Sequence, residues 1–183
     1  MDEAVRAQLA RAQEELQQAG GPAAALLRWV KPDNIHLTLQ FLGEIAADVV
    51  PRVSEAMQRA VAGETAFEVV VRGLGGFPSL RQVRVLFAAV EAPPVLARMQ
   101  RRIAEGMRAF NIEPEAREFR PHLTLARAKE TRSAGGAERL ARAVAAMREK
   151  EFGRMTVREV VLMRSDLRPE GPVYTPLARA ALG

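Results

Sequence analysis

Cysteine is absent from this 183-residue chain. That excludes disulfides, thiolate metal sites and a cysteine nucleophile. Long apolar runs are also missing, and none approaches the roughly 18 residues that a membrane span needs. The first twenty residues are charged and polar, without the apolar core of a secretory leader. These absences set the expectation of a cytoplasmic protein. Lysine is scarce: Lys31, Lys129 and Lys150 are the only three, so arginine supplies almost all of the +5 net charge. Arginine binds planar anions bidentately and stacks on bases, which suits phosphate or RNA. Most of these arginines equally suit a solvated surface, so the charge permits a nucleic-acid partner without requiring one. Histidine is scarcer still, with His36 and His122 alone.

What is present reads as an ordinary globular chain. Hydrophobic residues are 48% and charged residues 27%, enough for one domain, or a two-lobed one, with a sizeable core. Val5, Leu9, Ala12 and Leu16 form a helical stripe that Gly20 and Gly21 end. "LLRWV" reads as a short strand closed by Pro32, and "NIHLTLQFLG" as a second strand closed by Gly43. Asp48 is placed to cap a helix running to about Val61, with Pro51 in its first turn. "FEVVVRGLGGF" reads as a strand entering a glycine turn, and "VRVLFAAV" as another strand. "PPVLARMQRRIAEGMRAF" predicts a helix opened by proline. "EFRPHLTLAR" repeats the strand signal. The polar "KETRSAGG" reads as a loop and "AERLARAVAAMREK" as a helix. "MTVREVVLMRS" and "VYTPLARA" close the chain as strands. Helices alternating with hairpin-like strand pairs predict an α+β or α/β fold with mostly antiparallel sheet.

Both histidines open the same tetrapeptide, His-Leu-Thr-Leu, at His36 and at His122. Given a histidine, a following Leu-Thr-Leu is rarer than roughly one in a thousand by composition. The repeat predicts a duplicated half and hence two lobes, although the halves share little else. In a strand, Leu37 and Leu39 point one way and His36 and Thr38 the other. The same parity sets Leu123 and Leu125 against His122 and Thr124. Imidazole, with its ordinary pKa of about 6.5, can supply a base and an acid at neutral pH. Threonine hydroxyls can donate to phosphate oxygens, and Arg127 can add charge-assisted bonds. Together these groups suit in-line attack on a phosphodiester without a metal. Two imidazoles make only half a tetrahedral metal set, and Glu44 and Glu118 have no ligand-like spacing. A lone histidine or threonine on a strand is more often structural; the repetition reverses that judgement here. Arg127 lies five residues beyond His122, so strict alternation puts it on the leucine face. It reaches the histidine side only if the strand bulges or ends first.

These residues carry a resemblance. "RWVKPDNIHLTLQFLGE", "GLGGFPSLRQVRVLFAAVE", "FRPHLTLARAK" and "VREVVLMRSDLRPEGPVY" resemble the two-histidine (2H) phosphoesterases. Within them they resemble the RNA 2′,3′-cyclic phosphodiesterases, historically called 2′-5′ RNA ligases. The resemblance runs from about Trp29 to Tyr174. It implies a bilobal α+β fold across residues 1–183, with two pseudo-symmetric sheets, flanking helices and a central groove. It implies opening of an RNA 2′,3′-cyclic phosphate to a 2′-phosphate, with no metal or other cofactor. His36 and His122 fall on the catalytic pair, and Thr38, Thr124 and Arg127 on the phosphate-holding groups. By analogy His122 activates water and His36 protonates the leaving 3′-oxygen; the residues alone leave that order open. The implied partner is RNA with a cyclic phosphate end, no membrane is involved, and the chain acts as a monomer. Reverse 2′-5′ ligation is a side reaction in this view. Two alternatives stand beside it: a 2H enzyme for a small cyclic nucleotide or ADP-ribose cyclic phosphate, and a non-catalytic RNA-end-binding module. One departure is visible. Family members open with a short Arg-Leu-Phe-type strand before the first helix, whereas here the helix follows Met1. That leaves a sheet strand and a groove-lining aromatic without counterpart, and the expectation is a chain shortened from a longer product.

Overall fold

The stripe of Val5, Leu9, Ala12 and Leu16 does form one face of a helix, α1 (Glu3–Gly20), and all four side chains are buried. Asp2 caps it by accepting the Ala4 N–H at 2.9 Å. The computed structural model describes residues 1–129, 137–169 and 171–183. After α1 come a short helix α2 (Pro22–Ala25) and the strand β1 (Leu27–Trp29). Further along lie α3 (Val50–Val61), β2 (Phe67–Phe77), β3 (Val85–Glu91), α4 (Pro94–Met107) and β4 (His122–Ala128). The chain closes with α5 (Ala137–Ala146), β5 (Glu151–Val157), β6 (Glu159–Arg168) and β7 (Gly171–Ala181). The fold is α+β. Among the described residues no helix is long and apolar enough to cross a membrane.

The chain divides into two compact units. The first comprises Met1–Leu37, Val69–Glu91 and Pro121–Met155. It is built on a five-stranded sheet in the order β1-β4-β3-β2-β5. The pairings of β4 with β1 and β3, and of β2 with β3, are antiparallel. One face of this sheet is apolar and closed: Leu86, Ala88, Leu123, Leu125 and Ala126 are buried there, as is the α1 stripe. α1 also packs on α5. Arg72 ties β2 to the edge of the sheet, reaching Glu151 at 2.5 Å and Glu91 at 3.3 Å. Its guanidinium holds the Glu151 carboxyl below the usual carboxylate range.

The second unit comprises Thr38–Glu68, Ala92–Arg120 and Thr156–Gly183. α3 and α4 pack together, and the long antiparallel hairpin of β6 and β7 packs on α3. Val53, Met57, Val61, Met99, Ile103, Met107, Leu162 and Leu182 form its core. Glu64 bridges Arg98 and Arg102, at 2.8 and 3.1 Å, with its side chain only 12% exposed. The hydrogen bond from Arg98 is the main reason its carboxyl is held below the usual range.

Four expectations need correcting. "NIHLTLQFLG" is not a regular strand. Pro32–Asn34 form a 3-10 turn, and the segment then makes a single β-bridge, Leu37 to Leu123. β1 pairs with β4 at Ala126–Ala128, and farther along the same strand the motif meets β4 at Leu123 alone. Asp48 sits in a 3-10 turn; Val49 occupies the cap of α3 without a side-chain bond, although Pro51 does lie in its first turn. β2 does not end in its glycines. It runs on to Phe77 because Gly73, at φ +80°, absorbs an irregularity between Val71 and Leu74. "MTVREVVLMRS" is two strands, β5 and β6, which belong to different sheets and part at Arg158. The expected loop at 129–136 lies, past Lys129, outside the described residues.

Candidate active site

His122, Thr124 and Arg127 share one face of β4, and a β-bulge is the reason. Directly opposed residues in an antiparallel pair point to the same side of the sheet. The ladder pairs Ala89 with His122 and Phe87 with Thr124, then Leu86 with Ala126 and Val85 with Arg127. Between Thr124 and Ala126 the strand β4 carries one extra residue, Leu125. Leu125 and Ala126 are therefore both buried, and the parity of the strand flips. Arg127 lands opposite Val85, on the side of Phe87 and Ala89, where His122 and Thr124 also lie. His122 and Thr124 are half-buried and Arg127 is exposed on this open face.

The bulge has its own support. Gln13, on α1, is only 4% exposed. Its amide donates to the Leu125 carbonyl at 2.9 Å and to the Val30 carbonyl at 2.8 Å. The Val30 N–H also donates to the Leu125 carbonyl, at 2.9 Å. A bulge breaks the regular ladder and leaves backbone groups to be satisfied elsewhere. Gln13 supplies both protons of one amide to that end. It also fastens β4 to the chain that leads from β1 toward His36.

The Leu37–Leu123 bridge is antiparallel. The two tetrapeptides thus run in opposite directions where they meet. Both histidines consequently belong to the first unit. His36 is exposed, and its Nδ1 lies 2.8 Å from the Asn34 carbonyl. A carbonyl only accepts, so Nδ1 carries a proton, and Nε2 is the ring nitrogen that this contact leaves unused. Thr38 is half-buried and opens the second unit.

The His122 ring sits against a stacked pair of phenyl rings. Its centroid lies 5.4 Å from Phe87 and 5.5 Å from Phe77, both in edge contact, while the two phenyl rings stack at 4.3 Å. Gly75 makes room for this group. It pairs with Phe87 across the ladder, and a Cβ there would lie 2.5 Å from the phenyl ring. Among the described residues, no group of three or more His, Cys, Asp or Glu side chains gathers to hold a metal ion. Sequence reasoning missed Gln13, Gly75, Phe77 and Phe87. The phenylalanines were readable from parity once β3 was placed beside β4. Gln13 was not, because a polar residue in an apolar helix stripe looks like a solvated one.

A family model for the 2′-5′ RNA ligase superfamily matches residues 2–169. The chain belongs to this superfamily, that of the 2H phosphoesterases. An RNA 2′,3′-cyclic phosphodiesterase of Methanothermobacter thermautotrophicus is 34% identical over 177 residues, covering 97% of this chain and 92% of the relative. One from Thermus thermophilus is also 34% identical, over all of this chain and 86% of its own. A crystal structure of a Thermus thermophilus protein matches with a TM-score of 0.79 at 31% identity, over 100% of this chain and 93% of that one. Escherichia coli LigT complexed with NADP+ matches with a TM-score of 0.73 at 26% identity, over 100% and 92%. The repeated His-Leu-Thr-Leu rests, in this chain, on one bulged strand and one bridging segment.

Proposed function

We propose that this 2H phosphoesterase is an RNA 2′,3′-cyclic phosphodiesterase, a hydrolase that opens the terminal cyclic phosphate to a 2′-phosphate. The observation that carries the reading is the antiparallel bridge that lays one His-Leu-Thr-Leu against the other. Relatives that carry this activity in their names span almost the whole chain and support the substrate class. In this mechanism His122 takes a proton from water as the water oxygen bonds to phosphorus. The bond from phosphorus to the 3′-oxygen breaks in line, and His36 gives the 3′-oxygen its proton through Nε2. The products are a 2′-phosphomonoester and a 3′-hydroxyl. Hydroxyls of Thr38 and Thr124 and the guanidinium of Arg127 take the non-bridging oxygens, where charge gathers in the transition state. Acid, base and anion cradle are all side chains, so no metal enters the scheme. With an RNA 5′-hydroxyl in the place of water, the same steps form a 2′-5′ phosphodiester, which accounts for ligation as a minor activity. Within this proposal the enzyme works as a monomer in the cytoplasm.

The test is turnover of an RNA with a 2′,3′-cyclic end by the wild type and by His36→Ala, His122→Ala and the double variant. Each single change is expected to lower kcat by at least about 10²-fold. The double variant is expected to lose far less than the product of the two, because acid and base act as a unit. Near-normal kcat in either single variant removes that histidine from the mechanism.

A further inference from the structure

The face that carries His122 and Thr124 has a second cation that the mechanism does not use. Arg28, in the middle of β1, pairs across the ladder with Arg127, so the two guanidiniums leave the same side of the sheet. Both residues are exposed, whereas Leu27 on the other side of β1 is buried. Like charges directly opposite one another destabilise an antiparallel pair. No acidic residue relieves this one in the register: the neighbours on that face are Val85, Phe77, Phe87, Thr124 and His122. Among the described residues neither guanidinium makes an ion pair, while Arg72, Arg98 and Arg102 are each tied to a glutamate. A pair of cations held side by side, open to solvent and, among the described residues, with no carboxylate tied to either, is complementary to a second anion.

We propose that Arg28, beside Arg127, forms a second phosphate subsite that takes the phosphodiester on the 5′ side of the terminal nucleotide. This rests on the reading of the site given above and deepens it. The site then distinguishes an RNA strand, which brings that phosphodiester, from a mononucleotide cyclic phosphate, which lacks it. Arg28 sits on β1, on the strand side that leads to His36, so the bound strand leaves the reacting phosphate across β4 and β1. A guanidinium there contacts a phosphate that is not being transferred. It adds binding to the longer substrate and nothing to the acid–base chemistry.

The experiment compares two substrates, a nucleoside 2′,3′-cyclic phosphate and a dinucleotide with the same cyclic end, for wild type, Arg28→Met and Arg28→Lys. The wild type is expected to prefer the dinucleotide in kcat/KM. Arg28→Met is expected to reduce that preference by about tenfold, the scale of one charge-assisted hydrogen bond. Its salt dependence with the dinucleotide is expected to flatten by about 0.7 in the log–log slope, one phosphate contact fewer. Arg28→Lys is expected to keep part of the preference and the salt slope. A preference unchanged in Arg28→Met, or an equal loss with both substrates, overturns the subsite. A wild type that turns over neither substrate overturns the underlying reading, and the subsite with it.

Discussion

Two histidines share one tetrapeptide but not one environment. His36 is exposed and anchored through Nδ1 to the Asn34 carbonyl. His122 is half-buried and held edge-on against the stacked Phe77 and Phe87. The first arrangement fixes a tautomer; the second fixes a ring plane. Catalysis by a base and an acid of the same chemical type requires one imidazole neutral and the other protonated. A bell-shaped dependence of kcat/KM on pH is therefore expected, with its two limbs set by the pair as a whole. A profile with a single limb, or one that His36→Ala leaves bell-shaped, would contradict the shared role. At this scale the sequence was generous, because a repeated rare tetrapeptide using every histidine is visible without coordinates. The geometry that separates the two copies was not visible, since it depends on Asn34, Phe77 and Phe87.

At the scale of elements, the decisive object is the bulge in β4. Strict alternation would send Arg127 to the leucine face, and the extra residue Leu125 returns it to the side of His122. No local signal marks this bulge: it lies within "HLTLAR", without glycine or proline. What stabilises it comes from α1, where Gln13 donates to the carbonyls of Leu125 and Val30. Gln13→Met keeps the bulk and removes both donors, leaving the Leu125 carbonyl with the Val30 N–H and the Val30 carbonyl without its Gln13 donor, at a cost of about 1–3 kcal/mol. The variant is expected to fold, to melt lower, and to lose about 10- to 100-fold in kcat/KM as Arg127 shifts by about an ångström. In an Arg127→Ala background the same change is expected to add little. Equal losses in both backgrounds would show that Gln13 serves stability alone. The first motif failed as a strand for a related reason. Its alternation is strand-like, but a backbone segment joins a sheet only where a partner edge is open, and sequence does not show which edges are open.

For the whole molecule, the α+β class and most helices were legible because their apolar stripes repeat at helical spacing. α1, α3 and α4 bury the faces that the pattern marks. The partition into two units was foreshadowed by the repeat, but not its outcome. Both histidines fall in the first unit, and the unit boundary runs between Leu37 and Thr38. Likewise "MTVREVVLMRS" reads as one strand, and only the fold assigns its halves to separate sheets. In the proposed function all these features serve one chemical outcome: side chains alone would open a cyclic phosphate at an RNA end, and toward the 2′-phosphate. The direct measurement is incubation of an RNA bearing a 2′,3′-cyclic phosphate with the enzyme in EDTA, followed by identification of the product isomer. The expected product is a 2′-phosphate, formed at a rate that EDTA does not diminish. A 3′-phosphate product, or activity that vanishes in EDTA and returns with Mg²⁺ or Mn²⁺, would contradict it.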